Sequence, residues 1–345
     1  MAATPSGKQF ELRSGDQHAV VTEVGAGLRS YSAGGRELLD GYPVDALASS
    51  GRGQLLLPWP NRIRDGVYTL DGREHRLPLN EPERGNAIHG LVRWSSWTPV
   101  EEAADRVVLT HVLRPQPGYP FTLELRVEYS LGSDGLTVRT TAANAGADPC
   151  PYGAGSHPYV AVRSVDDAVL RLPASSILES DERGIPVGSS PVEGAFDFRA
   201  PRPLGSVQLD HCFTDLERDE DGYARVGVDD TTLWVDESYP YLMVFTGDAL
   251  PAAERRRSIA VEPMTCAPNA FATGDGLVVL EPGEEHAAAW GITPPRPRDP
   301  LGLGLRLREG ADRDEVGDVD PRVGEREPAG LRDLVAQRDR PAVLE

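Results

Sequence analysis

The carboxylate in the most unusual setting of this sequence is Glu262, which ends the apolar run Ile259–Val261 and is followed at once by Pro263. The run predicts a buried strand, and proline ends its ladder because it has no amide hydrogen to donate. A carboxylate at the end of a buried strand is costly unless it is paired or hydrogen-bonded, and partial desolvation raises its pKa towards the range of a general base. Glu262 is therefore a candidate base. The alternative is that Glu262 is a structural partner of an arginine.

The histidine with the most restrained surroundings is His157, which lies in the segment Gly153–Tyr159. Two glycines precede it, and a proline and a tyrosine follow it, so its backbone is unusual. Such restraint would be wasted on a surface residue. Because histidine changes its charge near neutral pH, a ring held in this way can donate or accept a proton. Catalytic and structural roles are equally compatible with this pattern.

Three further polar residues interrupt apolar segments and are candidates for ligand contact. Arg62 belongs to an Asn-Arg pair near the end of the segment Leu55–Ile63, where it either caps a sheet edge or binds hydroxyl groups through its planar guanidinium. His89 precedes a glycine that permits close approach of a ligand, although a lone histidine is more often a hydrogen-bonded structural residue. Asp210 lies between apolar neighbours, where it is either a turn former or a ligand to hydroxyl groups.

Several motifs of other enzyme classes are missing from the sequence. It has no phosphate-binding GxxxxGK[ST] loop, no GxSxG, no HExxH and no HxH pair. The three cysteines, Cys150, Cys212 and Cys266, form no CxxC pair, which argues against a disulfide scaffold and a structural zinc site. One acid, one base and a few polar binders, with no metal or nucleophile motif, match proton-transfer chemistry on a hydroxylated substrate.

The segments that carry these residues have the alternation of β-strands. Val67–Leu77 reads as a hairpin around Asp71-Gly72, since this dipeptide accepts the positive φ angles of a type I′ turn. Phe121–Leu131 alternates apolar and polar residues, and Leu277–Ile292 reads as a last hairpin. Helical spacing is nearly absent, while 36 glycines and 30 prolines supply turns. The pattern predicts a large antiparallel β-sandwich.

The character of the chain changes after Ile292. From Thr293 to Glu345 there is no Phe, Trp or Tyr, and Arg, Asp, Glu and Gly dominate. We therefore predict one sandwich domain over residues 1–294 and a charged tail over residues 295–345, disordered or loosely docked.

The overall charge limits the classes of partner. The sequence has 54 Asp and Glu against 35 Lys and Arg, a formal net charge of −19. Nucleic acids and anionic membranes both attract positive surfaces, so neither is an expected partner. The sequence has neither a membrane-spanning run nor the apolar core of a secretory signal, and a cytoplasmic location is the expectation. The sequence does not indicate an oligomeric state.

Five segments occur in the order in which they are found in the aldose 1-epimerase (galactose mutarotase) family, and the chain resembles the bacterial branch of that family. The matching segments are Asn61–Ile63, Asn86–Gly90, Gly155–Tyr159, Leu209–Phe213 and Val261–Cys266. The resemblance implies a large antiparallel β-sandwich, which agrees with the strand pattern. It also implies a cofactor-free isomerase that interconverts the α and β anomers of free aldoses.

The resemblance also implies a role for each candidate residue. Glu262 would be the general base that takes the proton of the C1 hydroxyl, and His157 the general acid that protonates the ring oxygen. Arg62, His89 and Asp210 would orient sugar hydroxyl groups, with His89 assisting at the ring oxygen. We expect an ionised carboxylate beside a protonated histidine near neutral pH.

The sequence leaves other possibilities open. Trp59 or Trp234 either stacks on a sugar face or belongs to the core. A related epimerase would act on a hexose 6-phosphate, for which Arg52, Arg64 and Arg93 are the candidate anion site. A carbohydrate-binding module without catalysis, and a glycosidase that uses Glu262 and Asp210 as its two carboxylates, are the remaining alternatives.

Overall fold

The computed structural model describes residues 4–295, which are almost entirely β-structure. Only two short helices occur among these residues, a 3-10 helix at Gly194–Phe196 and an α-helix, α1, at Ala270–Thr273. The strands, in chain order, are β1 (Gln9–Ser14), β2 (Gln17–Thr22), β3 (Leu28–Ala33), β4 (Arg36–Glu37), β5 (Leu55–Leu56), β6 (Arg62–Arg64), β7 (Val67–Leu70), β8 (Arg73–Arg76), β9 (Asn86–Ile88), β10 (Thr98–Glu102), β11 (Arg106–Leu113), β12 (Leu123–Gly132), β13 (Gly135–Asn144), β14 (Cys150–Tyr152), β15 (Gly155–Ser156), β16 (Tyr159–Ala161), β17 (Val169–Arg171), β18 (Ala174–Ser180), β19 (Pro186–Pro191), β20 (Arg202–Pro203), β21 (Asp210–Leu216), β22 (Ala224–Val228), β23 (Thr231–Val235), β24 (Tyr241–Phe245), β25 (Ser258–Met264), β26 (Val278–Leu280) and β27 (Glu285–Thr293).

Two large antiparallel sheets dominate the described part of the chain. The nine-stranded sheet has the order β10-β11-β12-β13-β27-β23-β22-β17-β20, and the eight-stranded sheet contains β19-β18-β21-β24-β25-β15-β5, with β16 also paired to β25. Both sheets contribute side chains to one continuous apolar core. Strand β12 is an example of how a strand contributes to this core. Alternate residues such as Leu125 and Val127 are buried, while the residues between them are not. The predicted antiparallel β-sandwich is confirmed.

The first predicted hairpin is also confirmed. Strands β7 and β8 pair with Leu70 opposite Arg73, so Asp71 and Gly72 form a two-residue loop. Both loop residues have positive φ angles, 47° and 74°, as the type I′ turn requires.

The predicted last hairpin is wrong. Strand β26 pairs with β14, whereas β27 lies between β13 and β23 in the nine-stranded sheet. The turn after β26 carries the chain from one sheet to another. Local turn residues indicate where the chain reverses, but the pairing partners are chosen by long-range packing.

The centre of the eight-stranded sheet positions the candidate residues. All seven residues of β25 are buried, and the strand is flanked by β24 on one side and by β15 and β16 on the other. The chain between β15 and β16 contains His157, and Glu262 lies within β25. The two segments that were expected to hold the acid and the base are therefore neighbours in one sheet.

The predicted tail over residues 295–345 lies outside the described residues apart from its first residue, so its character and the boundary at 294 stay predictions. Within residues 4–295 no helix is long and apolar enough to cross a membrane.

Candidate active site

One cavity of about 540 Å³ is lined by all five residues that the sequence singled out. Glu262 and His157 lie in its wall together with Arg62, His89 and Asp210. These residues come from segments as far apart in sequence as β6 and β25. Folding therefore brings them to a single site, as the resemblance implied.

The core of the site is a contact between Glu262 and His157. Oε1 of Glu262 lies 3.3 Å from Nε2 of His157, and the two residues are only 3% and 5% exposed. Oε2 of Glu262 and Nδ1 of His157 are buried and have no hydrogen-bond partner among the described residues. Buried polar atoms are normally paired, so the two unpaired atoms are exceptions that mark this contact as a candidate functional site.

Burial moves the pKa values of this pair in opposite directions. The pKa of Glu262 is raised well above its usual range by desolvation, with the charge of Asp210 adding to this effect and that of Arg62 opposing it. Desolvation lowers the pKa of His157 to about 3, and the positive charges of Arg93 and Arg52 act in the same direction. Both effects favour the uncharged form. The expectation of a protonated His157 near neutral pH is therefore wrong for this structure.

His89 is held in one orientation by the backbone of Asn61. The backbone amide of Asn61 donates a hydrogen bond to Nδ1 of His89 over 3.2 Å, and His89 itself has a φ angle of 62°. Because Nδ1 accepts this bond, the ring proton lies on Nε2. Burial and nearby positive charges lower the pKa of His89 well below its usual value. His89 is therefore a neutral ring that can donate a hydrogen bond from Nε2.

The donor set formed by His89, His157 and Glu262 also resembles a metal site, because each residue offers an atom within 4.8 Å of the others. Two imidazoles and a carboxylate are a common ligand set for transition metals. The bond from Asn61 to Nδ1 of His89 opposes this use, since it leaves Nε2 protonated and without a lone pair. The same arrangement suits hydrogen bonding to an oxygen atom.

The position of Arg62 is compatible with both of its alternative roles, as a structural residue at a sheet edge and as a ligand of hydroxyl groups. Its side chain is buried and forms two parallel hydrogen bonds with Glu81, from Nε at 2.9 Å and from Nη2 at 3.0 Å. Gly184 packs against Nη1, where an added Cβ would come within 2.7 Å. The pairing raises the pKa of Arg62 despite its burial. Arg62 is thus a fixed cation whose guanidinium also lines the cavity.

Asp210 differs from the other four residues because it is exposed. It is the first residue of β21, its side chain is 42% exposed, and Oδ2 lies 4.0 Å from Nη1 of Arg84. Its charge nevertheless contributes to the raised pKa of Glu262. Asp210 therefore occupies the solvent side of the cavity.

The cavity wall also includes residues that were not among the five candidates for the epimerase reaction. Gln54 and Trp94 line the cavity with Arg93, and Trp94 is 53% exposed. Nη1 of Arg93 lies 3.5 Å from the side-chain oxygen of Gln54. Arg93 and Trp94 follow the His89-Gly90 motif closely in the sequence, and this closeness could have marked them as cavity residues.

The two tryptophans considered for sugar stacking lie elsewhere. Trp59 is buried in the core, where its ring packs edge-on against Phe271 with centroids 5.6 Å apart. Trp234 is half-buried and packs against Tyr223 in a different cleft. The core alternative is thus correct for Trp59, and neither ring reaches the cavity.

Comparison with known sequences finds one family across most of the chain. Residues 8–293 match the family model described as aldose 1-epimerase. The uncharacterized protein YihR of Escherichia coli K12 is 36% identical, over 83% of this chain and 93% of its own length. The galactose mutarotase of Sus scrofa is 30% identical, over 66% of this chain and 73% of its own.

Solved structures show the same fold. An aldose epimerase homologue from Caenorhabditis elegans has a TM-score of 0.74 at 18% identity, covering 83% of this chain and 99% of its own. A galactose 1-epimerase from Lactobacillus acidophilus has a TM-score of 0.69 at 21% identity, covering 82% and 93%.

Proposed function

This chain belongs to the aldose 1-epimerase family, and we propose that it interconverts the α and β anomers of a free aldohexose by acid–base opening and closing of the sugar ring. The observation that carries this proposal is the buried contact between Glu262 and His157, 3.3 Å apart in the cavity wall. In a cyclic aldose the C1 hydroxyl oxygen and the ring oxygen are attached to the same carbon. An acid and a base that serve both oxygens must therefore be adjacent, as these two are.

The proposed reaction uses the two residues as a base and an acid. Glu262 takes the proton of the C1 hydroxyl, while His157 gives a proton to the ring oxygen and the bond between C1 and that oxygen breaks. The open-chain aldehyde then rotates about its C1–C2 bond. Reclosure on the other face reverses both proton transfers, so the pair returns to its starting state without any cofactor.

The raised pKa of Glu262 and the lowered pKa of His157 favour the uncharged form of the pair before the reaction begins. Between them the two groups need to hold one proton. In the uncharged form this proton lies on Glu262, and its transfer to His157 across the 3.3 Å contact produces the carboxylate and imidazolium that the reaction uses. Arg62 favours this step because its positive charge stabilises the carboxylate.

The remaining residues would bind the sugar. Arg62 presents a guanidinium fixed by Glu81, which suits hydroxyl oxygens. His89 donates from Nε2 and takes up a second proton only by losing its bond from Asn61, so it would polarise the ring oxygen without protonating it. Asp210, on the solvent side, would accept hydrogen bonds from hydroxyl groups remote from C1.

The phosphorylated-sugar alternative receives little support from the arginines that were its candidate anion site. Arg52 is held by two carboxylates and Arg64 by Asp181, and neither lines the cavity. Arg93 does line the cavity, and within residues 4–295 it has no carboxylate at ion-pair distance. Apart from Glu262, whose raised pKa favours its neutral form, the cavity wall has as many acids as arginines, namely Glu81, Glu83 and Asp210 against Arg62, Arg84 and Arg93. This balance does not favour a phosphate dianion.

The other two alternatives also fit less well. A carbohydrate-binding module needs no acid–base pair, and burying Glu262 beside His157 would only cost stability. A glycosidase needs two carboxylates about 5 Å or more apart across the scissile bond. Here the group in contact with Glu262 is an imidazole, and Asp210 is exposed.

Polarimetry of freshly dissolved α-D-glucose and α-D-galactose tests the proposal. We expect the protein to accelerate mutarotation, and Glu262→Gln and His157→Asn each to reduce the rate by about 10²- to 10⁴-fold, since each removes one acid–base group. The rate with glucose 6-phosphate in the same assay distinguishes the phosphorylated-sugar alternative from the proposed free sugar.

A matched control exists on β1 and β2, where Glu11 and His18 form a glutamate–histidine contact of 3.4 Å outside the cavity. Glu11→Gln and His18→Asn should retain the wild-type rate. Full activity in folded Glu262→Gln or His157→Asn would reject the assignment of base and acid. A strong preference for glucose 6-phosphate would reject the choice of a free sugar.

A further inference from the structure

A stack of three side chains extends from the cavity into the protein. The ring of His157 lies parallel to that of Tyr159, with centroids 5.0 Å apart and planes inclined by 12°. On Tyr159 lies the guanidinium of Arg52, 4.5 Å from the ring centroid. His157 and Tyr159 both line the cavity whereas Arg52 does not, so Arg52 lies behind the ring of Tyr159.

The outer end of this stack is firmly anchored. Arg52 is 1% exposed, and its guanidinium bonds to Asp40 through Nη2 at 3.3 Å and to Glu254 through Nη1 at 2.5 Å. The hydroxyl of Tyr159 donates to the backbone oxygen of Ser50 over 2.8 Å. A buried guanidinium between two carboxylates has little freedom to rotate, so the plane of the stack is set from this end.

The residues next to Arg52 hold the backbone and ring of His157. The amide of His157 donates to the oxygen of Gln54 at 3.1 Å, and the amide of Gly53 donates to the oxygen of His157 at 2.9 Å. Gly51 packs so closely on the imidazole that an added Cβ would come within 2.6 Å of Cδ2. The short segment from Ser49 to Gln54 thus contacts His157 through its backbone, through the glycine and, by way of Tyr159, through Arg52.

We propose that Arg52 is a positioning residue for the proton-transfer step, which fixes the ring of His157 against Glu262 through Tyr159. This inference rests on the proposed function in taking His157 as the acid. A ring that tilts about its Cβ–Cγ bond changes the 3.3 Å contact between Nε2 and Oε1. Proton transfer depends steeply on such a distance, whereas sugar binding by other residues of the cavity does not.

The same guanidinium links His157 to another part of the cavity wall. Glu254, which binds Arg52, lies in the connection between β24 and β25, and this connection also contributes Ala249 and Leu250 to the cavity. Arg52 therefore joins the segment that holds the backbone of His157 to the connection that forms another part of the cavity wall.

Arg52→Lys is the variant that tests this role. Lysine keeps the positive charge for Asp40 and Glu254 but has no planar group to lie on Tyr159. We expect kcat for mutarotation to fall about 10- to 100-fold with KM changed less than two-fold. The matched control is Arg257→Lys, because Arg257 also binds Asp40, at 2.8 Å, yet is half-exposed and is not stacked on Tyr159. Its kcat should equal that of the wild type.

A second variant covers the possibility that Arg52→Lys does not fold. Tyr159→Leu leaves Arg52 with its two carboxylates and removes the intervening ring, and it should show the same loss of kcat. Because Tyr159 lines the cavity, only kcat is compared in this variant. Wild-type kcat in a folded Arg52→Lys, or an equal loss in Arg257→Lys, would overturn the proposal. If only Tyr159→Leu folds, wild-type kcat in that variant would also overturn it.

Nitrogen-15 NMR of the His157 ring gives a readout that does not depend on turnover. In the wild type the ring resonances should not titrate between pH 7 and pH 5, because burial keeps the pKa of His157 at about 3. In Arg52→Lys a looser ring is better hydrated, and titration should begin within that range. An inactive wild type would reject the proposed function, whereas an active wild type with identical NMR titrations in both proteins would reject only the role of Arg52.

Discussion

At the residue scale, the most informative feature is that burial acts in opposite directions on the two proposed catalytic groups. Desolvation raises the pKa of Glu262 and lowers that of His157, because the charged form is penalised in both cases. A solvated pair would consist of a carboxylate and an imidazolium at mildly acidic pH. The buried pair instead favours one shared proton in an uncharged arrangement, from which the reactive form is reached by a single transfer.

The pH dependence of the rate follows from this arrangement. The reactive pair holds one proton, and activity is lost in acid when His157 takes up a second. Because the pKa of His157 is about 3, kcat/KM should stay constant as the pH falls from 7 to 5. Polarimetry with the spontaneous rate subtracted measures this. A decline centred between pH 6 and 7 would mean that the histidine has the pKa of a solvated ring.

Only part of this residue-level description could be predicted from the sequence. The unusual backbone around His157 and the apolar strand before Glu262 marked both residues, because local composition reveals where a polar group interrupts an apolar segment. Their protonation states depend on how completely neighbouring strands exclude water. The sequence contains no direct measure of that exclusion.

At the element scale, a few positions with left-handed backbone hold the catalytic groups against their neighbours. His89 has a φ angle of 62°, and Gly51 has a φ angle of 78° with its Cα against the ring of His157. Strand β25 supplies Glu262 from the centre of the sheet, where its neighbours on both sides leave little room for movement. Strand β25 thus holds Glu262 in place, while short irregular segments orient the rings of His157 and His89 beside it.

Two glycines with nearly equal backbone angles allow a controlled test of this arrangement. Gly51→Ala and Gly72→Ala both place alanine at a positive φ angle, 78° and 74°, which costs each about 1 kcal/mol of stability. Only at Gly51 would the new Cβ meet the ring of His157, at 2.6 Å, whereas at Gly72 nothing lies within 4 Å. We expect mutarotation to fall at least ten-fold in Gly51→Ala and to remain unchanged in Gly72→Ala. Equal activities, with folding checked by circular dichroism, would contradict the close fit.

At the scale of the whole molecule, the burial of His157 contributes to the pH dependence of stability. The pKa of His157 is about 3 in the folded protein and about 6.5 in an unfolded chain, so only the unfolded chain binds this proton between the two values. The contribution to stability is fully present above pH 6.5 and is lost as the pH falls towards 3. The raised pKa of Glu262 acts in the opposite direction, because the folded protein holds the Glu262 proton at pH values at which the unfolded chain has released it. The two contributions offset each other in the intact pair, so the contribution of His157 is revealed by a variant that lacks this histidine.

Urea denaturation at pH 5.5 and pH 4.5 measures this contribution. Removing the histidine in His157→Asn should reduce the loss of unfolding free energy over this interval by up to about 1.4 kcal/mol, the value of one proton per pH unit. His18→Asn serves as the control, since His18 lies outside the cavity and should leave the pH dependence closer to that of the wild type. Identical losses in wild type and His157→Asn would show that the ring is hydrated in the folded protein.

The kind of fold and the five candidate residues that meet in the cavity could be predicted from the sequence. Alternating apolar residues in segments such as β12 and turns such as Asp71-Gly72 are local patterns, so strands and hairpins follow from them directly. Tertiary structure alone decided that β26 and β27 pair with other strands and not with each other. It also decided that Trp59 lies in the core, and that Arg52 reaches His157 through Tyr159. These outcomes depend on contacts between residues far apart in the chain, whose energies are settled only when both sheets have packed and water has been excluded between them.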